Sequence, residues 1–444
     1  MRPRSPQFRA PQSRAPLSRP LGWLTLALLL TGVSAIALPR LYDLAFAVDV
    51  APTHLFYSPV REAFVFREHR GNHAFTYADE HGETFDRQTF EQQIPFIYYR
   101  NMALWGLLPL TLEGRTFDAD TIRDARQVFE LKAREIADRR PSIAVYPLLE
   151  SNPGRARLRF PEDVFRMTDN RMEFLNVDVN RVDAALTALF TEALTAEGFA
   201  FPARLVAGKP TILKPFDEGY LIVDAEGVVF HVKRTDGQPR VVRTPIPADL
   251  GRAIRHIKVT ENERREILGL VLTDDDRLFL LRAEDYGLIP LPTDGYVPDR
   301  MDAKLLINPL YPTVVFGDDA MVHAVAMTPD FDPVASYSRP VPGTRGLPHD
   351  VVAGALFPFT LSLDDHGGAF LTWRLDGHGW AGLIGIAGSL LLVLGMARAR
   401  RAPWRAAAPV VALVALTGVF GLLAALLVPW PRDDRASLAP RPAT

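Results

Sequence analysis

GYLIVDAEGVVFHVKRTDG, Gly219 to Gly237, places two runs of β-favouring side chains around an acidic, glycine-bearing turn. Tyr220 to Val223 and Val228 to Val232 read as paired strands, with the reversal at Asp224 to Gly227. The pattern returns in REILGLVLTDDDRLFLLRAEDYG, which turns near Asp274 to Asp276, and in PTVVFGDDAMVHAVAMTPD, which turns near Gly317 to Asp319. Three hairpins at a spacing of roughly 45 residues suggest blades, because each hairpin must bury its apolar face against a neighbour. Three such units cannot close the usual ring, so residues 55–110 would have to supply another. An incomplete propeller and a stacked antiparallel sheet domain fit the pattern equally.

Working outward, AFVFREH, HAFTYADEHGETFDRQTF and IPFIYYRNMALWG alternate short apolar runs with turns. Phe64, Phe66, Phe75, Tyr77 and Phe85 fit strands broken at Gly71–Asn72 and His81–Gly82. Asp120 to Asp138 predicts an amphipathic helix, with Ile122, Ala125, Val128, Phe129, Ala133 and Ile136 near one side. A second helix is predicted from Asn180, its cap, to Glu197, with Gly198 as the stop.

The chain has 444 residues, of which 48% are hydrophobic and 23% charged, at a mean hydropathy of +0.03. With that many charges, the apolar material must be concentrated in a few segments. Leu21 to Leu38 runs without a charge behind Arg2, Arg4, Arg9, Arg14 and Arg19. It is about 27 Å long as a helix, enough for the hydrocarbon layer. Ala35-Ile36-Ala37 offers the alternative of a cleaved signal sequence, and either reading exports the chain beyond Leu38. Trp380 to Ala397 and Ala406 to Trp430 are two further uncharged runs, separated by a loop holding Arg398, Arg400, Arg401 and Arg405.

Arginine-rich segments stay in the cytoplasm. The expected order is therefore a basic tail over 1–20, a crossing over 21–38, an exported strand-rich domain over 39–350 and an interfacial or re-entrant segment over 351–379. Crossings over 380–397 and 406–430 come next, joined by the cytoplasmic loop 398–405, and 431–444 forms an exported tail. The fold expectation is mainly β with two or more helices: an antiparallel-sheet or propeller-like domain between one N-terminal and two C-terminal transmembrane helices. The implied location is a bacterial inner membrane, multi-pass, with the main domain facing the periplasm or cell exterior. The lipid bilayer is then an expected partner. Small residues at four-residue intervals, Ala381, Gly385 and Ser389, then Thr417, Gly421 and Ala425, suit helix packing.

Several chemistries are excluded by composition. With no cysteine there is no disulfide, thiolate metal site or thiol nucleophile. A formal net charge of -2 without a long basic run outside the termini offers little to nucleic acid. The phosphate-loop, dinucleotide-binding, G-x-S-x-G and HExxH motifs do not occur.

The best metal candidates are His69, His73 and His81 with Glu68 or Asp79, although the turn residues between them favour ordinary surface histidines. Asp274, Asp275 and Asp276, and likewise Asp318 and Asp319, offer oxygen atoms for calcium, but acidic hairpin turns bond their own backbone. Asp364, Asp365, His366, Asp376 and His378 flank GGAFLTWRL, which reads as an amphipathic hairpin at the membrane surface. A haem or quinone partner could be met there. Val351 to Leu363 is too short to span and contains Pro358. Lys209, Lys214, Phe216, Asp217 and Tyr220 mix charge with aromatic surface as recognition sites do, or else form a strand entrance bent by two prolines. No catalytic, cofactor-binding or metal residue is assigned.

The stretch Gly198 to Gly237, GFAFPARLVAGKPTILKPFDEGYLIVDAEGVVFHVKRTDG, resembles an uncharacterised bacterial family of membrane-anchored proteins encoded near ABC transporter components. The resemblance supplies no active residues. It implies a noncatalytic accessory subunit whose partners are integral membrane proteins, among them a transporter permease and ATPase. An exported metal- or cofactor-handling protein or enzyme, and a membrane-bound sensor or regulator, are the alternatives.

Overall fold

The computed structural model describes residues 19–46, 53–69, 74–136, 143–341, 347–365 and 371–430. Two units result: a body within residues 50–344, and a flanking unit built from 1–49 together with 345–444. Helices in chain order are α1 (Arg19–Phe46), α2 (Arg87–Gln93), α3 (Tyr99–Leu104), α4 (Ala119–Ala125), α5 (Ala184–Ala196) and α6 (Ala248–Ala253). The chain continues through α7 (Leu347–Leu356), α8 (Gly379–Ala399), α9 (Trp404–Thr417) and α10 (Val419–Leu427). Apart from a 3-10 turn at Ala133–Glu135, the other regular structure among the described residues is antiparallel sheet.

Among the described residues the body holds five sheets of three or more strands and a two-stranded hairpin, Leu110–Leu112 with Arg115–Phe117. Sheet I runs in chain order through Thr53–Ser58, Ala63–His69, Phe75–Asp79 and Thr84–Phe85. Sheet II pairs Asp163–Met167, Met172–Asn176 and Arg181–Val182. Sheet III is Leu205–Gly208, Tyr220–Val223, Val229–Thr235 and Gln238–Arg243, and sheet IV is Ile254–Val259, Ile267–Thr273, Leu278–Arg282 and Leu288–Pro290. In sheet V, Gln127–Leu131 pairs with Asp302–Ile307, which continues to Thr313–Gly317, Met321–Met327 and Pro333–Pro340.

Alternation along the strands decides the stacking. In sheet III, Tyr220, Ile222, Phe230 and Val232 pack on Phe165, Phe174 and α5, whereas Leu221, Val223 and Val229 point to the other face and meet sheet IV. Sheet IV repeats the device: Val271, Phe279 and Leu281 face sheet III, while Leu270, Leu272, Leu278 and Leu280 face Leu305, Val314 and Phe316 of sheet V. Sheet V then packs through Val322, Ala324 and Ala326 on Leu55, Tyr57, Phe64 and Phe66 of sheet I. The outer face of sheet I is covered by Phe90 and Ile94 of α2 and the segment after it. Strands buried on both faces read as continuous apolar runs, which is why ILGLVLT and LFLLR lack polar alternation.

The spatial order is therefore II, III, IV, V, I, an open stack. Among the described residues no propeller ring closes, because no apolar cluster joins sheet II to sheet I. The expectation of a mainly antiparallel-sheet domain holds, and no closed propeller forms among the described residues. Each of the three expected hairpins forms.

Two helix expectations change. Asp120–Asp138 does not make one helix: α4 ends at Ala125, and Gln127–Leu131 becomes the edge strand of sheet V with Phe129 and Leu131 fully buried. QVFEL satisfies both periods, and pairing with Asp302–Ile307 supplied the ladder that decides for strand. α5 is capped by Asp183, whose carboxylate accepts from the Leu186 N–H at 2.9 Å, while Asn180 sits earlier at φ 49°. Gly198, at φ 81°, ends it as expected.

In the flanking unit, α1 and α8 are long and apolar enough to cross a membrane by length and composition. The run 406–430 is not a single helix, because Gly418 at φ 59° breaks it into α9 and α10. Within 351–379 lie the end of α7 and a hairpin that pairs Phe359–Asp365 with Leu371–Gly377, so a hairpin does precede α8, while 366–370, with Phe370 of the expected apolar set, fall outside the described residues. The 1–18 tail and the 431–444 tail lie outside the described residues.

Candidate functional site

The expected recognition residues converge, but inward. Lys209 to Asp217 connects the first two strands of sheet III, and Pro210 and Pro215 shape it so that Lys214 folds beneath the chain with its side chain 1% exposed. Its ammonium donates to Asp217 Oδ1 at 2.5 Å, Glu261 Oε1 at 2.7 Å and the Lys209 carbonyl at 2.9 Å. An ammonium has three N–H groups, so none is left for a ligand.

The carboxylates are held as tightly. Asp217 Oδ2 accepts from the Gly219 N–H at 3.0 Å and the Ser151 hydroxyl at 3.4 Å, and Glu261 Oε1 accepts from the Glu218 N–H at 2.8 Å. Glu261 Oε2 is buried with no hydrogen-bond partner. Burial pushes the Glu261 acid above its ordinary range, against the pull of the Glu218 N–H and Lys214. Phe216 is covered by the Arg265 guanidinium, 3.8 Å from the ring centroid, and the Tyr220 hydroxyl donates to the Pro147 carbonyl at 3.0 Å. The surface reading of Phe216, Asp217 and Tyr220 is thus overturned by burial, and the group ties sheet III to the segment after Val259.

Beside this cluster lies a residue without a sequence signal. His231, 5% exposed, places Nε2 2.5 Å from the Glu218 carbonyl and Nδ1 2.9 Å from the Tyr286 hydroxyl. The carbonyl only accepts, so Nε2 carries the proton and Nδ1 accepts from Tyr286. Burial lowers the His231 pKa to about 4.

The histidine stretch is dispersed among separate structural roles. Glu68 is buried and bonded by Arg339 Nε at 2.7 Å, with that guanidinium 3.8 Å from the centre of the Phe66 ring. Asp79 accepts from the backbone N–H groups of His81 and Glu83 and pairs with Arg61 at 3.2 Å. His69 meets Phe75 edge-on, His81 stands in solvent on a turn, and His73 falls outside the described residues. Among the described residues no three acidic or imidazole groups are placed to hold a metal.

The acidic turns bond themselves. Asp275 accepts from the Thr273 hydroxyl at 2.5 Å and Arg277 Nε at 2.7 Å, Asp276 lies 3.6 Å from Arg255, and Asp318 accepts from the N–H groups of Ala320 and Met321. Near the flanking helices, His378 begins α8 while Trp373 and Leu375 are exposed on the hairpin, and His366 lies outside the described residues.

Among the described residues of the body are two open clefts with charged linings. One, of about 800 Å³, is bordered by His54, Glu130, Arg300, Asp302, Lys304 and Asp318. Burial and the nearby Arg67 and Lys304 charges lower the His54 pKa. The other, of about 480 Å³, has Arg155, Arg159 and exposed Phe160 on its rim, with Arg234 engaged by both oxygens of Asp163. The first draws on distant segments and had no sequence signal; the second had one in the arginines of SNPGRARLRF.

Residues 54–327 match the family model described as a domain of unknown function, DUF4857. That match covers more than half of the chain. The chain belongs to the DUF4857 family. No protein among the curated ones matches it. The DUF4857 region contains Gly198–Gly237, on which the resemblance rested, and takes in sheets II, III and IV whole. It stops before the flanking C-terminal helices.

Proposed function

We propose that this DUF4857 protein is a noncatalytic accessory subunit of a bacterial inner-membrane complex, with the sheet stack on the periplasmic or outer side. The observation that carries the reading is the use made of the ionisable residues within the stack. Lys214, Asp217, Glu68 and Asp79 bind other parts of the same body, as a rigid positioning domain requires. The apolar helices α1 and α8 bracket the body in sequence. Arginines precede the first and come directly after the second, a distribution that supports a cytoplasmic location for both of those ends and a far-side location for the body. Leu383, Ile384, Leu391 and Leu392 are exposed on α8, an apolar surface for lipid or for a membrane partner.

The proposed partners are the permease and ATPase of an ABC transporter. The test is a gentle-detergent pull-down of the full chain at native expression, with mass spectrometry of the co-purifying proteins. Stoichiometric recovery of permease and ATPase chains supports the reading. Purification of the chain alone, with a metal or small molecule bound, overturns it in favour of an independent exported binding protein or enzyme.

A further inference from the structure

The run Ala406 to Trp430 has the composition of a crossing, yet its backbone turns back. A straight helix from Trp404 to Trp430 would extend about 40 Å. Instead, the Arg400 guanidinium carbon lies 5.0 Å from the centre of the Trp430 ring, so α10 ends at the level from which α9 departs. Neighbouring contacts agree. Val419 and Phe420, at the start of α10, pack with Ala35 and Leu38 of α1 and with Phe357, whereas Val428 and Trp430 pack with Trp23 and Ala27. The helix therefore runs back along α1 toward its arginine-bearing end.

Residue types at the bend permit the reversal. Gly418 adopts φ 59° and ψ −128°, a conformation that penalises a Cβ, and a Cβ there would lie 2.7 Å from the Pro358 ring. A Cβ on Gly421 would stand 2.4 Å from Thr417 Oγ1 and 3.0 Å from the Leu413 carbonyl, so its absence lets α10 close on α9. Neither helix alone is long enough to span: α9 is about 21 Å and α10 about 14 Å.

We propose that α9 and α10 form a re-entrant hairpin that enters and leaves the bilayer on the side of the arginine loop, and that its return completes an interfacial site for anionic lipid headgroups. Arg398, Arg400, Arg401 and Arg405 are exposed, and among the described residues none of them forms an ion pair. Trp404, 68% exposed, and Trp430 supply the amphipathic rings that favour the headgroup layer. Guanidinium groups bind phosphate in a forked geometry, and such a cluster beside a membrane attracts anionic headgroups. This inference rests on the membrane-anchored reading above and deepens it.

The chain has no cysteine, so single-cysteine variants of the full protein report sidedness cleanly. Gly377→Cys, Pro403→Cys and Pro429→Cys are treated in intact spheroplasts with a membrane-impermeant maleimide. Gly377→Cys should label at once, and Pro403→Cys and Pro429→Cys only after permeabilisation. Labelling of Pro429→Cys together with Gly377→Cys overturns the hairpin while leaving the anchor intact. Release of the protein by alkaline carbonate overturns both.

The lipid arm measures phosphatidylglycerol and cardiolipin against phosphatidylethanolamine retained by the detergent-purified chain. Each arginine beside an anionic surface contributes about fivefold. Replacing all four by Gln should therefore lower the ratio by at least about tenfold, while replacement by Lys preserves enrichment. An unchanged ratio in the Gln variant overturns the headgroup site.

Discussion

Acidification should destabilise the body through His231. In the folded chain this imidazole is neutral, donating from Nε2 to the Glu218 carbonyl and accepting at Nδ1 from Tyr286, and its pKa lies near 4. The Glu218 carbonyl and carboxylate favour protonation, but burial outweighs them, and Lys233 and Arg240 add repulsion. An unfolded chain protonates the same ring near its ordinary value of 6.5. Between those values the unfolded state binds more protons, so the His231 contribution is complete above pH 6.5 and is lost as pH falls toward 4. The displacement corresponds to about 3 kcal/mol, a large share of the 5–15 kcal/mol typical of a domain. Urea unfolding of the full chain followed by tryptophan fluorescence at several pH values between 7.5 and 4, for the native chain and for His231→Gln, measures it. Gln preserves the donor to the carbonyl but cannot titrate, so the difference between the two curves should shrink by about 3 kcal/mol across this range. Glu261, whose pKa is raised, acts with the opposite sign: its stabilising contribution is present at low pH and is lost as pH rises. That effect is common to both proteins and cancels in the difference. Curves that stay parallel within about 1 kcal/mol would refute the reasoning, since a buried neutral histidine must separate them.

Lys214→Met should cost about 3–5 kcal/mol in the same assay, because it leaves Asp217 and Glu261 buried without their cation; adding Glu261→Leu should recover part of the loss. Gly251→Ala should cost about 3 kcal/mol, since the added Cβ would lie 1.8 Å from the Gly227 carbonyl oxygen and would drive α6 off the hairpin turn. At Gly237, where a Cβ meets nothing within 4 Å and only the positive φ opposes it, Ala should cost about 1–2 kcal/mol. Phe165→Ala, at a ring that is fully buried and edge-on to Tyr220, should lower stability by about 3–5 kcal/mol, read as a shift in the urea midpoint at unchanged slope.

The sheet stack was legible where two periods did not compete. Tyr220 to Val223 and Val229 to Thr235 carry β-branched and aromatic residues on both faces with a glycine turn between them, a pattern that helices do not share. Val128 and Phe129 lie in a segment whose spacing fits a helix as well as a strand, and only a remote partner, the strand holding Leu305 and Leu306, selected the strand. Local pattern holds no information about such a partner. Ring closure was likewise undecidable from hairpin spacing, because spacing counts blades without showing which faces meet.

The candidate site was legible as a group of residues and not as a location. Lys214 and Asp217, three apart, stand out together for their charge, yet whether such a pair faces water or the interior depends on Glu261, which is remote in sequence and which no local motif links to them. The same physics separates the two ends of the chain. Apolar content identifies α1 and α8 as long enough to span because that is a matter of length and composition, whereas α9 and α10 together have the length of a span and depart from it at Gly418. A glycine within an apolar run is consistent with a continuous packed helix, and Gly385 is such a case, its missing Cβ making room for the Ala355 carbonyl on α7. Gly418 differs in its backbone, at φ 59° and ψ −128°, and in its neighbours: Pro358 fills the space on one side, and Gly421 allows the following turn to fold back on Leu413. Reversal is therefore a property of a set of contacts that includes the segment before α8.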